Sequence, residues 1–290
     1  MQMTTVAKAR KIMLYLLLAL LSSACITVLM RLSERYRQNP GSMLSMNYLM
    51  CSLLSLLFSG QTELFPAGEG LATALWLGGT GGVLFLGSFL LLQWNVSRNG
   101  VALPATFMKL GVLVPTLLSV LLFGEKLTFL RALGIGAAVA AILLMQGGGH
   151  REERGSLGGL VLLLLSGGMA DAMSKLYEEW GHPAWKDHFL LYTFLVALVL
   201  CTVLCLVRRE KLCLRDVLFG LGLGIPNYLS TRFLLLALGQ LPAVVVFPTF
   251  SVGTIVLVTL AGLILFGEKL PGRKLLALGI ILAALVLLNL

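Results

Sequence analysis

Long apolar runs separated by short polar gaps dominate the chain. A transmembrane helix needs about 20 mainly apolar residues, at a rise of about 1.5 Å each. Runs of that kind fall at 12–32, 42–60, 71–94, 101–122, 127–145, 157–177, 187–207, 214–237, 242–265 and 272–290. They predict an all-α, polytopic membrane protein of ten transmembrane helices. Turn-forming and charged residues fill the gaps, as in Gln38-Asn39-Pro40-Gly41, Ser97-Arg98-Asn99-Gly100 and the stretch from Gly147 to Ser156. The first run follows Lys8, Arg10 and Lys11, as in a signal peptide, but it is long enough to span. Ser22-Ser23-Ala24-Cys25 only faintly resembles a lipoprotein cleavage site, and apolar residues continue to Met30, so an uncleaved first helix is expected.

The polar stretch 147–156 lies at the midpoint, and the two sides of it repeat. Phe123-Gly124-Glu125-Lys126-Leu127 recurs as Phe266-Gly267-Glu268-Lys269-Leu270, an offset of 143 residues. The same offset brings Gly79 and Gly81 onto Gly222 and Gly224, and Gly87-Ser88 onto Ser230-Thr231. Chance matches between Leu-rich helices are common, so the five-residue match between helices carries the weight. It predicts two five-helix repeats, residues 1–147 and 156–290. Five spans per repeat is an odd number, so tandem copies enter the bilayer in opposite senses. Inverted repeats of this kind build many secondary transporters.

Composition agrees with lipid as part of the solvent. The chain is 58% apolar and 12% charged, against about 45–50% and 25% in soluble domains. The formal net charge of +9 would suggest nucleic acid in a soluble protein. Here the basic residues sit mostly in the gaps, where orientation and anionic headgroups account for them, so no nucleic-acid partner is expected. The odd set of five cysteines (Cys25, Cys51, Cys201, Cys205, Cys213) has no metal spacing, so no metal or cofactor is expected. His150, His182 and His188 lie in gaps or at span ends, and no HExxH, GxSxG or Walker A pattern occurs, so the chain reads as a non-enzyme.

Small residues predict close helix packing. Gly78/Gly82 and Gly220/Gly224 have GxxxG spacing, and Gly134, Gly136, Ala137, Ala138, Ala140 and Ala141 crowd the fifth span. Pro104 and Pro115 in the fourth span, Pro226 in the eighth and Pro242 and Pro248 in the ninth mark either kinks or cavity-lining segments.

Ionisable residues inside spans carry the sharpest functional signal, since each costs about 2.5–3.5 kcal/mol at a helix centre on insertion scales. Lys109 falls near the middle of the fourth span and Arg232 near the middle of the eighth. Their repeat equivalents are Val252 and Phe89, so they stand where the halves differ. They are the candidates for substrate or counter-ion contact, joined by Asn227 beside Pro226. Asp171 and Lys175 lie one turn apart and can form an ion pair, with proton coupling at Asp171 as the alternative. Arg31, near the end of the first span, and Lys175 are expected to snorkel. Two central cations and one acid that can be paired predict an anionic or zwitterionic solute, gripped by Arg and attracted by Lys.

The ten spans, the duplication and the Gly-Glu pair closing the fourth helix of each half resemble the EamA-type branch of the drug/metabolite transporter superfamily. The segment Gly224 to Leu270 carries the resemblance most clearly. It implies alternating-access transport of a small organic solute, with the third, fourth, eighth and ninth spans bordering a cavity, and termini in the cytoplasm. Many members have a Trp-Gly pair in the first helix and a basic residue near the start of the second. Here Ser22-Ser23-Ala24 and Asn47 stand in those regions, so no substrate follows from the likeness. Small multidrug exporters of the superfamily use a Glu in the first helix. This chain has no acid there before Glu34, so proton-coupled export of amphipathic drugs is the second reading.

Charge and resemblance disagree on orientation. Twelve Lys and Arg fall on the side away from the termini and six on the side of the termini, which places the termini outside. The expected location is the plasma (inner) membrane.

Overall fold

The computed structural model describes residues 2–34, 36, 38–60, 63–99, 102–146, 157–267 and 272–289. The polar midpoint with His150, and Glu268-Lys269-Leu270 of the second repeat motif, lie outside the described residues. Eleven α-helices and a short 3-10 turn make up the described secondary structure, with no strand among the described residues. They are α1 (Gln2–Ser33), α2 (Pro40–Ser59), α3 (Leu71–Asn99), α4 (Ala102–Leu110), α5 (Leu113–Phe123), α6 (Phe129–Gln146), α7 (Leu157–Trp180), α8 (Lys186–Val207), α9 (Leu214–Leu238), α10 (Ala243–Phe266) and α11 (Gly272–Asn289). Seven are long and apolar enough to cross a membrane, and shorter apolar stretches run at 107–123, 129–144 and 275–288. The expected fourth span is therefore not one helix. It breaks at Gly111-Val112 into α4 and α5. Pro115 explains the break: it has no N–H for the Gly111 carbonyl, which instead accepts from Val114 N–H at 2.9 Å.

Two compact units are present, and neither is a sequence half. One comprises residues 1–86 and 173–240, the other 87–172 and 241–290. In the first, α9 packs against α1 and α2, and α2 against α8. Glycines set these contacts. A Cβ on Gly220 or Gly224 would lie 2.4 Å from Met43 O or 2.7 Å from Asn47 O of α2, and one on Gly78 or Gly82 would lie 2.7 or 2.5 Å from carbonyls of α8. Both GxxxG pairs thus mark backbone-to-backbone approach, the packing that holds helices together in lipid. In the second unit α6 packs on α11 and α10 on α5 and α11. Ala138, Ala141, Val252, Ile281 and Ala284 form a fully buried cluster there.

Acidic side chains fasten helix starts. The first N–H groups of a helix have no intrahelical acceptor and carry partial positive charge. Asp216, fully buried, accepts from Gln38 N–H at 2.9 Å and Asn39 N–H at 3.1 Å, just ahead of α2. Glu210 accepts from Ser42 N–H at 3.1 Å. In the other unit Glu125 accepts from Ala243 N–H and Val244 N–H, both at 2.9 Å, at the start of α10. In the first copy of the repeated motif, Glu125 thus caps the start of α10. The glycine of this copy ends α5 in the left-handed conformation at φ 64°, and Gly267 ends α10 the same way at φ 61°. Only glycine takes that conformation without strain, which is why the motif begins with it.

One end of the first unit is tied by side chains. Trp185 Nε1–H donates to Glu69 O at 2.9 Å and Tyr192 O–H to Leu64 O at 2.8 Å, which pins the α2–α3 loop to α8. Lys186 pairs with Glu178 at 2.6 Å across the α7–α8 turn. This end holds the first group of candidate residues.

Candidate functional site

Arg232 lies on α9 two turns from its C-terminal end, nearer the helix end than the sequence pattern placed it. One terminal nitrogen stands 3.3 Å from both carboxylate oxygens of Asp187, in the first turn of α8. The pair is about a quarter accessible, with side chains 22% and 25% exposed. The guanidinium lies over the Phe58 ring at 4.5 Å, and Tyr228, one turn back on α9, is 5.9 Å away. Phe58 and Tyr228 stack at 5.7 Å. Arg232 therefore has an aromatic floor on one face and a carboxylate on one edge. Tyr228 is fully buried, with its hydroxyl close to both Asp187 and Arg232.

Lys109 belongs to the other unit. It is the penultimate residue of α4, at the internal break of the fourth span. Helix carbonyls left open at such an end favour a cation. The break is held against α7: a Cβ on Gly168 would stand 2.4 Å from Gly111 O and 2.6 Å from Val114 Cβ. That approach brings Lys109, two residues before Gly111, within electrostatic reach of Asp171, three residues after Gly168. Lys109 is half-buried and Asp171 exposed.

Residues 10–146 match the EamA-like transporter family. The first half of the chain thus resembles this family, which lies within the drug/metabolite transporter superfamily. EamA-like proteins are transporters with membrane-spanning helices, and the seven long apolar helices make this one a multi-pass integral membrane protein. A solved crystal structure matches the fold with a TM-score of 0.76 over 96% of both chains, at 14% identity. No curated protein sequence matches significantly. The family accords with the non-enzyme reading.

The other candidates of this EamA-like chain have structural partners. Asn227 Nδ2–H donates to Asn47 Oδ1 at 3.2 Å, bridging α9 to α2. Cys51 Sγ–H beside them donates to Gly224 O at 3.3 Å. Lys175 is buried and pairs with Glu179, one turn on along α7, on the opposite side in sequence from Asp171. Arg31 stands exposed in the last turn of α1, where snorkelling places it. Asp187, Tyr228 and Phe58 were not among the sequence candidates. Asp187 opens its span directly after Lys186, so nothing in the sequence set it apart from an ordinary helix-end charge.

Proposed function

We propose that this EamA-like protein is a secondary transporter that moves a small anionic or zwitterionic metabolite by alternating access. The observation that carries this reading is Arg232: a membrane-embedded guanidinium, partly accessible, beside Asp187. Arg presents five donors in a planar fork suited to carboxylate or phosphate. Lys109 supports it independently, as a cation at the internal end of a broken helix, the kind of element that binds solutes in transporters. The proposal includes two inverted five-span repeats, residues 1–147 and 156–290, in a plasma (inner) membrane. The matching left-handed glycine caps at Gly124 and Gly267 support the duplication.

Counterflow in liposomes against organic acids, amino acids and phosphate esters tests the reading. Arg232→Ala and Lys109→Ala are each expected to lower uptake of the transported solute at least tenfold, with the protein still folded. Unchanged uptake in both variants would sink it. Single cysteines introduced into a loop of each half, labelled from one side of sealed vesicles, test the inversion.

A second reading, proton-coupled export of amphipathic compounds, is favoured by Asp171, an exposed carboxylate on a membrane-embedded helix. Asp171→Asn is then expected to abolish the drug tolerance the wild type confers on cells. Equal tolerance in the two strains would remove this reading.

A further inference from the structure

We infer that the loop between α8 and α9 binds an acidic phospholipid, its phosphate held by Arg208, Arg209, Lys211 and Arg215 and its chains by the apolar residues around them. The site lies wholly within one compact unit, at the opposite end of α9 from Arg232.

Charge comes first. Residues 208–216 hold these four cations and two acids, Glu210 and Asp216. Both acids are turned inward. Glu210 accepts from Ser42 N–H, and the fully buried Asp216 accepts from Gln38 and Asn39 N–H, so the start of α2 takes up both carboxylates. The four cations are exposed, and none of them forms a salt bridge among the described residues. A segment of mixed charge thus presents only positive charge outward.

Apolar residues fix the depth of the loop. Leu206, Val207, Leu212 and Leu214 are each at least 68% exposed, and they flank the cations at the ends of two spans. Acyl chains cover such side chains and water does not. Cations interleaved with them then stand at the level of the lipid phosphates, where each is attracted to anionic headgroups. A lipid with a net negative headgroup meets both features, whereas a soluble phosphate meets one.

The backbone gives the independent pointer. Arg209 has φ 54°, the only positive value at a non-glycine residue among the described residues. Its N–H donates to Leu206 O at 3.1 Å and Glu210 N–H donates to Cys205 O at 3.0 Å, which closes α8. Glycine is the usual residue at this point of a helix end, because a side chain there is strained. Strain of this kind gathers at functional sites. Closing the helix accounts for the backbone bonds but not for an arginine in the place of glycine. The loop is also held in shape, since Lys211 O accepts from Asn39 Nδ2–H at 2.8 Å.

The test uses the full-length protein, purified in detergent and freed of lipid, with phosphatidylglycerol and phosphatidylcholine of the same chains as probes. Native mass spectrometry counts the bound lipid through a titration. Phosphatidylglycerol is expected to bind at least roughly tenfold more tightly than phosphatidylcholine, each cation contributing about fivefold at most. Arg208→Gln, Arg209→Gln, Lys211→Gln and Arg215→Gln together are expected to bring the two lipids within about twofold. Lys126→Gln with Arg273→Gln, exposed cations of the other unit, is expected to leave the preference intact. Arg209→Gly is expected to separate stability from binding. The lipid-free melting temperature rises by about 1–3 °C, while phosphatidylglycerol binds about fivefold more weakly. Equal binding of the two lipids by the wild type overturns the inference, as does a preference that survives the fourfold Gln variant. Should that variant not fold, unchanged phosphatidylglycerol binding in Arg209→Gly overturns it. Displacement of the lipid by millimolar glycerol phosphate would make the ligand a soluble anion and overturns it too.

Discussion

Asp216→Ala is expected to lower the melting temperature of the detergent-purified protein by on the order of 5–10 °C, the equivalent of about 3 kcal/mol. Asp216 is fully buried and satisfies two backbone N–H groups, those of Gln38 and Asn39. Alanine would leave both donors without an acceptor where water is scarce, and each loses a charge-assisted bond. The positive end of α2 would also lose one of its two carboxylates, with Glu210 left to hold Ser42 N–H. Asp216→Asn keeps one acceptor oxygen and should fall between alanine and wild type. A melting temperature equal to the wild type in both variants would mean that water replaces the carboxylate, against the packing described.

Gly168→Leu carries the second large effect, at or above about 3 kcal/mol, the upper end of ordinary overpacking. The first carbon of the new side chain would meet the Gly111 carbonyl at 2.4 Å and Val114 Cβ at 2.6 Å. Neither can yield cheaply, because the chain turns there between α4 and α5. Gly167 is the control. A Cβ there meets nothing within 4 Å, so Gly167→Ala should be neutral or stabilising by up to about 1 kcal/mol. Size-exclusion profiles and melting curves of the two neighbours should therefore diverge. If they coincide, the close approach of α7 to the α4–α5 break is wrong.

Much of the fold was legible because lipid imposes a single demand, apolar length, that hydropathy reads directly. The long helices α1, α2, α3 and α7 to α10 fall on expected runs. The break in the fourth span was less visible, since Gly111 and Val112 are as apolar as their neighbours. Pro115 was its one signal, and proline alone does not separate a kink from a break. Lys109 and Arg232 stood out because a charge inside an apolar run is conspicuous. Their acidic neighbours did not. Asp187, Glu210 and Asp216 sit at helix ends, where charge is ordinary, and the backbone groups that Glu210 and Asp216 hold lie 168 to 178 residues away in sequence. Lys175 shows the same limit in miniature: acids flank it on both sides, Asp171 and Glu179, and spacing gives no reason to choose between them. The compact units were hidden for another reason. Sequence order runs along the chain, whereas packing groups helices by contact, and here each unit draws on both sides of the midpoint.

That grouping bears on how the protein is made. α1 belongs with α9, and α6 with α11. When residues 1–147 have left the ribosome, neither compact unit has all its helices, because each needs residues beyond 172 or 240. At about 5–20 residues per second, α1 waits on the order of ten to forty seconds for its partner. During that interval its inner face, including the Ala19 carbonyl that later accepts from Ser230, must be screened by lipid or by the insertion machinery. Synthesis of this chain is therefore an all-or-nothing commitment: truncation after the midpoint yields inserted helices but no finished unit.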